Sequence, residues 1–116
     1  MTPRASRPPA LSEAQFQQRI LDLAALTGWR VYHHPDSRHA TTAGLPDLIL
    51  LHMTTGRIVF AELKKVDGRV RPAQAEFLKA AAKDPRNEIA LWRPADWDQV
   101  VAVLRGAPVP APNQKD

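Results

Sequence analysis

An α/β domain is predicted, with a small mixed sheet flanked by helices in the order αβββαβ and an extra helix at the C-terminal end. Three observations predict it. Apolar residues recur at helical spacing in stretches beginning at Phe16, Phe77 and Trp97. Short runs at Trp29–His33, Leu48–Leu51, Ile58–Ala61 and Ile89–Trp92 are rich in aliphatic and aromatic residues and bounded by turn residues. Helical and strand signals also interleave along the chain, which points to a sheet sandwiched by helices.

At 116 residues there is room for one domain, expected over residues 11–106 between Pro-rich disordered tails at 1–10 and 107–116. Arg4 and Arg7 of the first tail either touch phosphate or are simply solvated. The first helix starts at Ser12, because Ser12 with Gln15 three residues on fits a capping box, and Phe16, Ile20, Leu23 and Ala24 follow on one face. Gly28 stops it. Glu13 falls at the edge of that face, where a carboxylate either complements the helix dipole or points toward a cation.

Trp29–His33 is the first strand. The segment 34–43 lacks periodicity and contains Pro35, Asp36 and Ser37, so it is a loop. No regular spacing brings His33, His34, His39 and Asp36 together as a zinc site. Arg38, His39, Ser37 and Thr41 either contact phosphate or line an idle surface loop. Asp47 opens the run Leu48–Leu51, Thr54–Arg57 supplies a turn, and Ile58 begins a second strand, giving a hairpin. Alternation along that second strand puts Phe60, Glu62 and Lys64 on one face.

Beyond the hairpin, Asp67 and Gly68 mark a turn within the basic segment Lys65, Arg69 and Arg71. Pro72 suits the first position of a helix carrying Phe77, Leu78 and Ala81 on its apolar face and running to about Lys83. Gln74 shares this face and needs a hydrogen-bond partner there. A strand over Ile89–Trp92 and a helix over about Ala95–Arg105 complete the order. Trp29, Trp92 and Trp97 are expected in the core rather than at an interface.

Composition narrows the function. With no cysteine, disulfides and thiolate metal sites are excluded, so any metal must use oxygen or imidazole ligands. The N-terminal residues have no apolar segment of the secretory kind, and no apolar run approaches a membrane span; a cytoplasmic protein without membrane contact is expected. A net charge of +4 and a pI of about 10.0 favour a polyanionic partner.

Antiparallel pairing brings Asp47 opposite Glu62, and two facing carboxylates repel unless a cation lies between them. For oxygen ligands that cation is Mg²⁺ or Mn²⁺, with the Leu63 carbonyl and water completing the shell. Lys64 then orients or deprotonates a water and offsets charge developing on phosphorus, the chemistry of a phosphodiester hydrolase. The bland alternative is a solvated Glu62–Lys64 pair on an edge strand.

Glu13, Gly44-Leu45-Pro46-Asp47, Glu62-Leu63-Lys64 and Gln74, in that order, resemble the motifs of the PD-(D/E)xK nuclease superfamily and, within it, the VRR-NUC branch. The resemblance spans about residues 12–105. It implies a restriction-endonuclease-like core, with Asp47 and Glu62 as metal ligands, Lys64 as the catalytic lysine, Glu13 completing the acidic cluster directly or through water, and Gln74 assisting. Small stand-alone members, often of phage origin, are similar to Holliday-junction resolvases and act as homodimers. The expected function is therefore a Mg²⁺-dependent endodeoxyribonuclease selective for branched or junction DNA, working in a bacterial or phage-infected cell. Phosphate contacts are expected from Arg38, His39, Arg57, Lys65, Arg69 and Arg71. Two alternatives are a non-catalytic DNA-binding accessory module and a protein-interaction domain with a basic surface.

Overall fold

The computed structural model describes residues 11–33 and 44–111. The order of elements is α1 (Glu13–Leu26), β1 (Trp29–His33), β2 (Leu48–His52), β3 (Ile58–Leu63), α2 (Pro72–Ala81), β4 (Glu88–Trp92) and α3 (Trp97–Leu104), with a 3₁₀ turn at Pro94–Asp96 leading into α3. The predicted capping box opens α1: Ser12 Oγ accepts from the Gln15 amide at 3.1 Å, and Gln15 Oε1 accepts from the Ser12 amide at 2.9 Å. Such a cap contributes about 1 kcal/mol.

The sheet is mixed, in the order β1-β2-β3-β4. The first three strands are antiparallel, and β4 returns parallel to β3 after the α2 crossover. The register pairs Leu48 with Ala61 and Leu50 with Val59, and it pairs Ala61 with Ala90 and Leu63 with Trp92. These residues point to one face and form the core with Phe16, Ile20 and Ala24 of α1 and Val100, Val103 and Leu104 of α3. Complete burial of each large aliphatic or aromatic side chain contributes roughly 1.5–3 kcal/mol. Phe60 points to the other face, where its ring meets Phe77 of α2 at 6.1 Å between centroids. The sheet is thus flanked by α1 and α3 on one side and α2 on the other, the α/β architecture read from the sequence.

Trp29 and Trp92 are buried as expected, and each indole N–H has a partner: Trp29 donates to the Leu104 carbonyl at 3.0 Å, Trp92 to Gln99 Oε1 at 2.9 Å. Trp97 is half-buried, with the Arg19 guanidinium 4.2 Å above its ring.

Two boundaries differ from expectation. Helix α2 stops at Ala81, and the Asn87 side chain covers the Ala81 carbonyl at 2.9 Å. Residues 107–111 are not a free tail: Arg57 Nη2 donates to the Ala107 carbonyl at 2.6 Å, the Val109 amide donates to Glu88 Oε1 at 3.1 Å, and Val109 packs on the core. Residues 1–10 and 112–116, the rest of the two expected tails, lie outside the described residues. No described helix is long and apolar enough to cross a membrane.

Candidate active site

Asp47 precedes β2 and Glu62 lies near the end of β3, one step beyond the paired Leu48 and Ala61. The two residues interlock. The Asp47 amide donates to Glu62 Oε1 at 3.2 Å, and the Leu63 amide donates to Asp47 Oδ2 at 2.8 Å. Asp47 Oδ1 accepts no hydrogen bond among the described residues. Because β3 is an interior strand and Glu62 is completely buried, the bland reading of a solvated pair on an edge strand is overturned.

The other oxygen of Glu62, Oε2, accepts from Gln74 Nε2 and lies 3.3 Å from Lys64 Nζ. Gln74 is 1% exposed, and its Oε1 accepts from the Arg71 amide at 3.0 Å, so both ends of its amide are used. The partner that a glutamine on an apolar face required is therefore Glu62. Lys64 is nearly buried too, held by its own amide, which donates to the Trp92 carbonyl at 3.0 Å. Gly44 makes the approach of α2 possible: its φ is +96°, and a Cβ there would sit 2.7 Å from the Ala73 carbonyl oxygen. Helix α2 thus starts directly over the entry to β2, which sets Gln74 against Glu62.

Burial, and then the neighbouring charge of Asp47, push the Glu62 carboxyl up from 4.5 to about 7, against the opposing pull of Lys64. Glu13 stands exposed at the first position of α1. Its carboxyl is also raised, first by desolvation and then by Asp47, while Lys64, Arg71 and Lys65 oppose the rise. Glu13 therefore borders the same electrostatic site, as do the cations of the basic segment.

No described group of three His, Cys, Asp or Glu side chains is able to hold a metal ion by itself. The donor set nonetheless fits a hard divalent cation, which uses one or two carboxylates and keeps several waters. Asp47 offers an oxygen that no described residue occupies, the Glu62 carboxyl is pushed toward protonation, and the Leu63 carbonyl follows directly.

The expected DNA contacts separate into three groups. Lys65, Arg69 and Arg71 are exposed and follow Lys64 directly. Arg57 is displaced from this group, because its fork binds both oxygens of Glu88 at 2.6 and 2.7 Å at the other end of β3, with Trp29 beneath it. Arg38 and His39 lie outside the described residues, as do His34, Asp36, Ser37 and Thr41. Two sizeable clefts also lie at the Arg57 end, one lined by Glu88 and Val109, the other by Trp29 and His52. Neither contains the carboxylate pair, so cleft size and chemistry do not coincide here, and the chemistry decides. Arg93, whose side chain holds the turn after Lys64, was missed in the sequence; its one local signal is the pattern Arg-Pro-x-Asp, an N-cap followed by proline.

The site thus sits on a four-stranded mixed sheet, with a half-buried Asp47 where β2 begins, a buried Glu62 on β3 and Lys64 beside them. Comparison with solved structures identifies the fold. One described as "VRR_NUC domain" superposes with a TM-score of 0.62 at 20% identity, covering 84% of this chain and 98% of that one. Another, described as "VRR_NUC domain protein", gives a TM-score of 0.57 at 21% identity over 84% of this chain and 88% of that one. The chain has the VRR-NUC fold. No protein-family model matches it, and no curated protein matches it significantly.

Proposed function

We propose that the chain is a VRR-NUC nuclease, a divalent-metal-dependent endodeoxyribonuclease that hydrolyses phosphodiester bonds in branched DNA as a homodimer. The observation that carries this reading is the interlocked Asp47–Glu62 pair with Lys64 Nζ 3.3 Å from the buried carboxylate. Asp47, Glu62 and the Leu63 carbonyl are the residues to hold Mg²⁺ or Mn²⁺, with Glu13 at the rim. A divalent metal held there would supply Lewis acidity for activating water and polarising the phosphate.

The chain's own residues supply the rest. Gln74 fixes the Glu62 carboxylate by donating to Oε2 while its carbonyl is tied to the Arg71 amide. Lys64, held by the Trp92 carbonyl, places a positive charge where negative charge develops on the phosphoryl oxygens. Lys65, Arg69 and Arg71 neutralise flanking phosphates.

The test is a panel of labelled linear, flap, fork and four-way DNAs incubated with Mg²⁺, Mn²⁺ or EDTA. Metal-dependent internal cleavage of branched DNA is expected. Salt-sensitive binding with no metal-dependent product supports the accessory-module alternative instead, and absence of salt-sensitive binding supports the protein-interaction domain.

A further inference from the structure

Strand β3 ends at Leu63 and β4 at Trp92, yet the two segments remain joined beyond both strands. The Lys64 amide donates to the Trp92 carbonyl at 3.0 Å, and the next residue, Arg93, takes over with its side chain. Arg93 Nη1 donates to the Lys65 carbonyl at 2.9 Å and to the Gly68 carbonyl at 2.7 Å. The Gly68 amide closes on the same Lys65 carbonyl at 3.0 Å. The Lys65–Gly68 turn is therefore shut by one backbone bond and clamped at both ends by one guanidinium nitrogen. Arg93 is itself anchored, since its amide donates to Asp96 Oδ2 at 2.8 Å.

We infer that Arg93 is a positioning residue for DNA binding, which presents the cations of the turn after Lys64 to the phosphate backbone. This rests on the nuclease reading above. With both carbonyls drawn toward Arg93, the Lys65 side chain stays 56% exposed and Arg69 follows on the surface. Apart from Arg93, the side-chain tether described within the turn is the Lys65–Asp67 pair at 3.6 Å, between two exposed groups, which contributes little. A cation donating to two carbonyls makes charge-assisted bonds, stronger than neutral ones. The clamp also needs geometry, because both bonds come from one nitrogen whose two N–H groups are fixed in the guanidinium plane.

This separates Arg93 from an ordinary phosphate-contacting cation. If charge alone mattered, Arg93→Lys would behave as wild type. A clamp predicts that Arg93→Lys resembles Arg93→Ala.

Two measurements test it. On the free protein, well below its melting temperature, trypsin cleavage after Lys65 and Arg69 followed by mass spectrometry should accelerate about tenfold in both variants. On branched DNA with Mg²⁺, both variants should raise KM about fivefold while kcat changes by less than twofold, because phosphate contacts position the substrate. Wild-type KM and wild-type trypsin resistance in Arg93→Lys and Arg93→Ala overturn the inference, as does full rescue of both readouts by Arg93→Lys. A wild-type protein that neither binds nor cuts DNA overturns the nuclease reading and with it the phosphate role of the turn. That outcome is distinguishable, because the trypsin comparison then still shows whether Arg93 clamps the turn.

Discussion

Glu88 and Glu62 stand three positions apart along the paired strands β3 and β4, and the protein holds them in opposite ways. At the Glu88 end, Arg57 binds both carboxylate oxygens, and these bonds keep the Glu88 carboxyl below its ordinary range. At the Glu62 end, the Asp47 backbone amide, the Gln74 side-chain amide and the Lys64 ammonium meet a completely buried carboxylate, yet burial together with the charge of Asp47 pushes it up to about 7. Arg57 and Glu88 satisfy each other and tie down the C-terminal segment. Asp47, Glu62 and Lys64 do not balance, and a cation from outside would be stabilised there. Where a fold tolerates such conflict, function is the usual reason.

The sharpest way to break this contrast is at the conflicted end. Lys64→Ala or Asp47→Asn should lower metal-dependent cleavage by about 10³-fold or more, measured at saturating DNA, with the circular dichroism spectrum unchanged. Cleavage at the wild-type rate by Lys64→Ala removes the assignment.

The pH dependence of stability comes next. In the unfolded chain Glu62 loses its proton near 4.5, while in the folded protein it keeps the proton up to about 7. Folding therefore takes up a proton between those values, so stability from this group is greatest below 4.5, falls as pH rises to about 7, and is level above it. Urea unfolding in EDTA should show wild type losing on the order of 3 kcal/mol between pH 4.5 and pH 8 relative to Glu62→Gln. Glu88 has the reverse sign: its contribution is present above its unfolded value of 4.5 and is lost as pH falls through its lowered folded value. Parallel pH profiles for wild type and Glu62→Gln would contradict the conflict at Glu62.

The smaller effect belongs to the satisfied end. Arg57→Ala should destabilise by roughly 2 kcal/mol, less than a fully buried pair because both side chains are about a fifth exposed. Cleavage per folded molecule and the salt dependence of DNA binding should stay near wild type. A flatter salt dependence in Arg57→Ala would restore Arg57 to the DNA-binding surface.

Local chemistry made much of this legible. Ser12 and Gln15 announced α1, the alternation in β3 placed Glu62 and Lys64 together, and the hairpin put Asp47 opposite Glu62 within one step of register. An isolated glutamine on an apolar face signalled a partner, which is Glu62. What stayed hidden depends on residues distant in the chain. Arg57 reads as a phosphate contact until Glu88 arrives 31 positions later. Arg93 reads as the end of a strand until it meets carbonyls 25 and 28 residues earlier. The order of residues 107–111 depends on Arg57 and Glu88 in the same way. Composition rich in proline gives no sign of such contacts.

Thermal unfolding at pH 8 with increasing Mg²⁺, in wild type, Asp47→Asn and Glu62→Gln, tests most directly whether Asp47 and Glu62 form a cation site. At about ten times its Kd, Mg²⁺ should add about 1.4 kcal/mol to wild-type stability and raise Tm by several degrees. Neither variant should respond. An equal Mg²⁺ shift in Glu62→Gln, or none in wild type, would contradict a cation site at Asp47 and Glu62.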